Sequence, residues 1–161
     1  MKDRPHIFVD IDGVLATTAQ YYSKKRHEEW NCYRFDTKCV KVFNEIIKKI
    51  NPIIVLSSDW KNQYNIETMN NIFEWNGIGV KISDYTPNLW GVDFFTLREL
   101  EECRSSEILK FVKENDIKKW ISIDDLDLSP YISEENFVHT PRPNEGIKQS
   151  GIKDKILKRL L

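Results

Sequence analysis

The sequence predicts an α/β fold with a mainly parallel sheet of five strands. The apolar run at residues 52–58 is continuous rather than alternating, as expected where helices cover both faces of a parallel sheet. Such runs alternate along the chain with segments of helical periodicity, and parallel neighbours need crossover helices of this kind. The chain has 161 residues, of which 40% are hydrophobic, so we predict a single packed domain over residues 1–161.

The first predicted strand, residues 6–10, is an apolar run that stops at the turn-forming pair Asp12-Gly13. Residues 17–35 are polar and aromatic without a clear period, so we expect a short insert at about 16–36 that crosses one edge of the fold. The insert is too short to form a separate cap domain. The first helix is predicted to begin at Asp36 or Thr37, both good N-cap residues, and to end at Pro52.

The later elements are predicted from the same kinds of pattern. A helix at about 60–75 follows the strand at 52–58 and ends at Asn76-Gly77, with Ile66 among its buried residues. A short strand at 79–83 precedes a structured loop at 84–97. Ser105 or Ser106 is predicted to begin the next helix, which carries Leu109 on its apolar face. Strands at 120–124 and 136–140 and a terminal helix at 150–161 complete the series.

The composition excludes several classes of protein. Lys plus Arg number 24 and Asp plus Glu number 25, so any contact with nucleic acid must come from a local patch. The three cysteines lack CxxC spacing, which favours reduced thiols over disulfides or a zinc site. No apolar stretch is long enough for a signal peptide or a membrane span. We therefore expect a cytoplasmic protein that does not contact membranes.

Three of the predicted strands end in polar side chains. The carboxyl ends of parallel strands meet at one edge of a sheet, so these side chains should converge although they are distant in sequence. Crowded carboxylates repel one another unless a cation lies between them, and oxygen ligands suit a hard ion such as Mg²⁺. The converging residues are Asp10 and Asp12 after the first strand, Ser57 and Ser58 after the second, and Asp124 and Asp125 after the fourth.

The spacing of Asp10 and Asp12 places both side chains on one side of an extended chain. One carboxylate can then attack phosphorus while the other exchanges protons. Gly13 allows a sharp turn and a close approach to a ligand. Ser57 offers its hydroxyl and nearby N–H groups to a phosphate oxygen. Other interpretations remain for single motifs: the Asp-x-Asp-Gly sequence also occurs in plain turns and calcium loops, and Ser58 is equally expected to cap a helix.

These motifs resemble those of the haloacid dehalogenase-like (HAD) superfamily. FVDIDGVL is similar to its first motif, IIVLSS to its second and ISIDD to its fourth. Within the superfamily, LSSDWK together with RSSEILKFV and ISIDD resembles the HAD domain of Swiss Army Knife RNA repair proteins. The resemblance runs from about His6 to the terminal helix. It implies a Rossmann-like three-layer sandwich with strand order 5-4-1-2-3 and no large cap domain.

The resemblance also assigns roles to individual residues. It implies that Asp10 is the nucleophile and a metal ligand, and that Asp12 is the general acid/base with its backbone carbonyl on the metal. Ser57 is implied to bind the phosphoryl group, and Asp124 and Asp125 to hold the Mg²⁺ cofactor. We assign Gly13 and Ser58 to substrate binding.

The third HAD motif requires a basic side chain, usually Lys, that neutralises the nucleophile and the phosphate. Arg104 is our choice, because it precedes the fourth strand where this residue usually enters and because Arg grips phosphate bidentately. Lys110 and Lys81 remain alternatives, and Lys110 is also assigned to substrate binding.

The resemblance implies a phosphatase, because superfamily members that act on halogenated acids lack the second aspartate, here Asp12. The predicted activity is phosphomonoester hydrolysis, with a nucleic-acid phosphate end as the first candidate substrate. The insert supports this choice, since its Tyr, Lys and Arg residues resemble the surfaces of single-strand binders. A solvated loop with packed aromatics is the competing interpretation of the insert. Small nucleotides, sugar phosphates and a noncatalytic binding module remain alternatives, and the sequence does not predict the oligomeric state.

Overall fold

Five short strands form one parallel sheet in the computed structural model, which describes residues 3–90 and 96–161. The order across the sheet is β3-β2-β1-β4-β5, and every neighbouring pair is parallel. This confirms the predicted strand order, here counted from the opposite edge. The strands are β1 (His6–Val9), β2 (Ile53–Leu56), β3 (Ile82–Tyr85), β4 (Trp120–Asp124) and β5 (Phe137–His139).

Helices cover both faces of the sheet and complete the predicted three layers. Alternate residues of β1 point to opposite faces: Ile7 and Val9 pack with α2, α3 and α5, whereas Phe8 packs with α4. Helices therefore exclude water from both faces of the central strand β1, which explains why its residues form a continuous apolar run in the sequence. The helices are α1 (Thr18–Tyr21), α2 (Thr37–Ile50), α3 (Ile66–Trp75), α4 (Leu97–Glu114) and α5 (Ile152–Leu160).

The start of α2 and the buried face of α5 match their predictions. Asp36 caps α2, because its carboxylate accepts the backbone N–H groups of Lys38 and Cys39, each at 2.9 Å. The apolar residues of α5 are all buried, as their helical spacing predicts.

Two predicted helices have different boundaries in the structure. The helix predicted at 60–75 is a 3-10 turn (Asp59–Asn62) followed by α3, because Asn65 accepts the N–H of Thr68 and begins a new helix there. The helix predicted to begin at Ser105 or Ser106 begins at Leu97, after the N-cap Thr96. Ile66 and Leu109, predicted as buried, are 36% and 39% exposed.

Outside these elements, β3 begins at Ile82 rather than at residue 79. Part of the loop predicted at 84–97 lies outside the described residues. Between β1 and α2 the described chain contains only the four-residue helix α1, so no large cap lies there. In the ranges 3–90 and 96–161, no helix is both long enough and apolar enough to cross a membrane.

Candidate active site

The strand register places Asp10 between the ends of β2 and β4. Val9 lies opposite Leu56 on one side and Ile123 on the other. The backbone ladder continues one residue further, since the Ser57 N–H donates to the Val9 carbonyl at 2.9 Å and the Asp10 N–H donates to the Ile123 carbonyl at 3.1 Å. The three strand ends that the sequence singles out therefore meet at the same edge of the sheet.

Three carboxylates from two of these strand ends form a compact cluster. One oxygen each of Asp10, Asp124 and Asp125 lies within 4.8 Å of the others. Asp10 and Asp124 are only 5% and 1% exposed. Burial, together with the neighbouring charge of Asp124, raises the pKa of Asp10, and burial with the charge of Asp10 raises the pKa of Asp125. A cation bound between the three oxygens would relieve this repulsion.

Arg104 supplies the positive charge beside this cluster. It lies within α4 and is 5% exposed, and its Nη1 atom is 2.7 Å from Asp124 Oδ2 and 3.4 Å from Asp10 Oδ2. The same nitrogen donates to the Ser57 carbonyl at 3.2 Å. Arg104 therefore joins all three strand ends, although it lies in the middle of a helix and not at the start, where the sequence placed it.

The two alternatives to Arg104 lie away from the cluster. Lys110 is exposed and pairs with Glu114 on the outer face of α4. Lys81 is exposed just before β3. Of the three candidate basic residues, the structure brings only Arg104 to the carboxylates, and it does not place Lys110 where it was expected to bind substrate.

The side chain of Asp12 is not part of the three-carboxylate cluster and accepts hydrogen bonds from two other residues. Its Oδ2 atom accepts the indole N–H of Trp60 at 3.0 Å, and its Oδ1 atom accepts the phenol of Tyr33. Burial and the Asp12 carboxylate raise the pKa of Tyr33, so this phenol stays protonated as a donor. Sequence reasoning missed both donors. Tyr33 belongs to the aromatic insert and Trp60 follows the second motif, but no spacing rule links either residue to Asp12.

The two serines after β2 differ in their surroundings. Ser57 Oγ is buried and has no hydrogen-bond partner in residues 3–90 and 96–161. An unpaired buried hydroxyl is costly unless a ligand satisfies it. Ser58 Oγ accepts the N–H of Trp60 at 3.3 Å and caps the 3-10 turn, which matches the structural alternative for this residue.

Gly13 lies in the tight loop after β1 and packs directly against Asp125. Its φ is +78°, and a Cβ added there would lie 2.5 Å from the Cβ and Cγ atoms of Asp125. Glycine is required here both by the left-handed backbone and by the close approach of a metal-ligand candidate. The sequence anticipated the sharp turn and not this contact.

Residues at the end of β5 form hydrogen bonds with the loops that carry the site carboxylates. His139 Nε2 is 2.9 Å from the backbone carbonyl of Asp125, and the Thr140 hydroxyl donates to the carbonyl of Gly13 at 2.8 Å. The Thr140 N–H also donates to the Asp124 carbonyl at 2.9 Å. These contacts fix the two loops that carry the carboxylates. Sequence reasoning gave His139 no role, because a lone histidine at a strand end carries no recognisable pattern.

The aromatic and basic residues of the insert divide into two groups. Trp30 stacks on His27 at a centroid distance of 4.0 Å, and Arg34 lies 3.9 Å from the ring centroid of Trp75. These side chains pack on the domain. Tyr21 and Tyr22 instead are 57% and 75% exposed and line a cavity of about 210 Å³ that reaches Asp12, Gly13 and Asp125.

The comparisons with known proteins agree with this geometry. The family model described as the HAD domain in Swiss Army Knife RNA repair proteins matches residues 6–151. This range contains every strand of the sheet and all the site residues described above. No curated protein and no solved structure gave a significant match.

Proposed function

Because this chain belongs to the family of the HAD domain in Swiss Army Knife RNA repair proteins, we propose that it is a magnesium-dependent phosphomonoesterase. The observation that carries this proposal is the buried cluster of Asp10, Asp124 and Asp125 with Arg104 beside it. Three acidic groups and one basic group leave a net negative charge in a dry site, which a divalent cation compensates.

The donor set fits Mg²⁺. Asp10, Asp124 and Asp125 would hold it, since all three offer hard carboxylate oxygens and His and Cys are absent from the cluster. The backbone carbonyl of Asp12 is the fourth ligand that we propose. When bound, the ion neutralises charge on the phosphate and offsets repulsion between the phosphate and the attacking carboxylate.

Asp10 is the proposed nucleophile. One of its oxygens attacks phosphorus, the bond from phosphorus to the leaving oxygen breaks, and the phosphoryl group is held as an aspartyl-phosphate. Asp12 gives a proton to the leaving oxygen and then takes one from the water that attacks the intermediate. The hydrogen bonds from Tyr33 and Trp60 hold Asp12 in place for both transfers.

Arg104 and Ser57 complete the proposed site. Arg104 lies between Asp10 and Asp124 and offsets their charge. The Ser57 hydroxyl has no partner within the described chain, so it is available to donate to a phosphate oxygen. We also assign Gly13 and Ser58 to substrate binding, because they lie in the loops that follow β1 and β2, although the Gly13 N–H itself donates to the Ala16 carbonyl at 2.8 Å.

A nucleic-acid phosphate end is the substrate that we test first. No large cap lies between β1 and α2 among the described residues, the cavity of about 210 Å³ adjoins Asp12 and Asp125, and the matched family is named for RNA repair proteins. Small nucleotides and sugar phosphates are the competing substrates, and the family match does not choose among them.

The test is release of phosphate from a generic aryl phosphate with Mg²⁺ or with EDTA. We expect turnover with Mg²⁺ only, and Asp10→Asn should reduce it about a thousandfold or more. Asp127→Asn is the matched control, because Asp127 is an exposed carboxylate two residues beyond Asp125 that accepts hydrogen bonds from Ser129. A folded protein without metal-dependent turnover would instead be a noncatalytic binding module, and turnover that survives Asp10→Asn would show that Asp10 is not the nucleophile.

A further inference from the structure

A second part of the surface carries features that hydrolysis alone does not explain. The cavity of about 210 Å³ is lined by Asp12 and Asp125 of the acidic site and also by Tyr21, Tyr22 and Pro143. Most large apolar side chains of this protein are buried, yet these two tyrosines are 57% and 75% exposed. Their rings meet edge to face with a centroid distance of 5.1 Å.

Local contacts hold these tyrosines at the mouth of the cavity. Thr17 and Gln20 form a capping box at the start of α1, and the Thr18 N–H donates to the Pro143 carbonyl at 3.2 Å. At the other end, Arg26 Nη2 donates to the Tyr21 carbonyl at 3.1 Å. The short helix is thereby fixed at both ends, so the exposed rings are presented in a defined place.

We propose that Tyr21 and Tyr22 form a subsite for the nucleobase next to the phosphate that is removed. The proposal rests on the proposed phosphatase function and adds the class of leaving group. Asp12, the proposed donor of a proton to the leaving oxygen, lines the same cavity as these tyrosines, so a leaving group next to Asp12 would enter that cavity. Exposed aromatic rings bind bases by stacking without regard to sequence, because every base has a π-face.

The charge beside the subsite favours a nucleotide over other aromatic esters. Residues 17–27 contain Lys24, Lys25 and Arg26 and are followed directly by Glu28 and Glu29, and Arg26 Nη2 lies 3.1 Å from the Tyr21 carbonyl. Both lysines are exposed, although the net charge of the whole chain is −1. A cationic patch next to stacking rings matches the backbone of a nucleic-acid strand, whose further phosphates lie beyond the terminal one. Phosphotyrosine has a planar ring but lacks these phosphates.

The test compares four compounds with Mg²⁺: adenine dinucleotides that carry a 3′- or a 5′-terminal phosphate, glycerol phosphate and phosphotyrosine. The wild type should prefer at least one of the two nucleotides over glycerol phosphate in kcat/KM by about tenfold or more. Tyr22→Ala combined with Tyr21→Ala should abolish most of this preference, whereas Tyr22→Phe should retain it because the ring remains. Leu109→Ala is the control for removing an exposed apolar side chain, since Leu109 lies on α4, outside the cavity.

Three results would overturn the subsite. They are an unchanged nucleotide preference in the double variant, an equal loss for all compounds, and a stronger preference for phosphotyrosine than for either nucleotide. Failure of the phosphatase function is measured separately, as a wild type that hydrolyses none of the four. In that case, equilibrium dialysis measures the binding of the two nucleotides to Asp10→Asn with and without the two tyrosines. If the subsite exists, binding should weaken about tenfold or more when both tyrosines are replaced by Ala. Equal binding with and without them would refute the subsite.

Discussion

The contact between Gly13 and Asp125 gives a sharp test of the proposed metal site. In Gly13→Ala, the new Cβ would lie 2.5 Å from Asp125 Cβ and Cγ, whereas ordinary contacts begin at 3.4 Å. Asp125 and the loop that carries Gly13 must therefore move apart by about 0.9 Å. Mg²⁺ binds oxygen at about 2.0–2.1 Å in near-ideal geometry, so a shift of this size removes a ligand.

The variant also strains the backbone, and this cost must be separated from the loss of the ligand. An Ala at φ +78° costs about 1–2 kcal/mol in unfolding free energy. Gly77→Ala is the matched control, because Gly77 has φ +76° and no atom within 4 Å of an added Cβ. Both variants should therefore lose about 1–2 kcal/mol in unfolding free energy from the backbone alone.

The assay is thermal unfolding across a Mg²⁺ titration, with EDTA as reference, together with phosphate release. A ligand that binds only the folded state stabilises that state by RT ln(1 + L/Kd), where L is the free ligand concentration, so Tm rises with the Mg²⁺ concentration and rises less when the affinity falls. We expect Gly13→Ala to lose most of the Mg²⁺-induced rise in Tm and at least tenfold in kcat/KM, and Gly77→Ala to keep both. A Gly13→Ala protein with the wild-type response to Mg²⁺, or a Gly77→Ala protein with the same defect, would refute the reasoning.

Three further predictions follow from the site. Tyr33→Phe removes a hydrogen-bond donor to Asp12 and should slow the hydrolysis of alkyl phosphates more than that of aryl phosphates, because poor leaving groups depend more on the general acid. Equal slowing of both classes would contradict the role of Tyr33 in holding the general acid. Arg104→Met leaves buried carboxylates unpaired and should lower the unfolding free energy, measured by urea titration in EDTA, by about 3–5 kcal/mol. Lys110→Met is the control, because it removes only an exposed ion pair and should change the unfolding free energy by at most about 1 kcal/mol. Burial and the charge of Asp10 raise the pKa of Asp125 to about 7, so between about pH 4 and 7 the folded state holds a proton that the unfolded state has lost, and the metal-free protein loses stability as pH rises. The resulting fall in Tm in EDTA should be smaller in Asp125→Asn. An equal fall would show that Asp125 does not titrate in this range.

Much of the fold could be predicted because burial leaves a direct pattern in the sequence. Continuous apolar runs mark β1, β2 and β4, since both faces of these strands are covered. Helix starts were less predictable where several capping residues compete, as at Ser58 and Asn65, which divide one expected helix into a 3-10 turn and α3. The early start of α4 was missed because its first turn is polar and carries the exposed Leu97.

The convergence of the catalytic candidates was also predictable. Parallel strands end at one edge, so Asp10, Ser57 and Asp124 had to meet once the strands were placed. Arg104 needed the family resemblance, because nothing in its local sequence distinguishes it from Lys110 on the same helix. The structure separates the two by the side of the helix from which each projects.

The sequence alone determined the α/β class, the ends of the buried strands and the acidic residues that follow them, because hydrophobic periodicity and turn residues are local properties of the chain. Only the tertiary structure showed that Tyr33 and Trp60 donate to Asp12 and that Gly13 packs on Asp125. It alone also showed that Tyr21 and Tyr22 line a cavity shared with Asp12 and Asp125. These contacts join residues up to about a hundred positions apart, and their distances depend on how the layers pack, which no local pattern records.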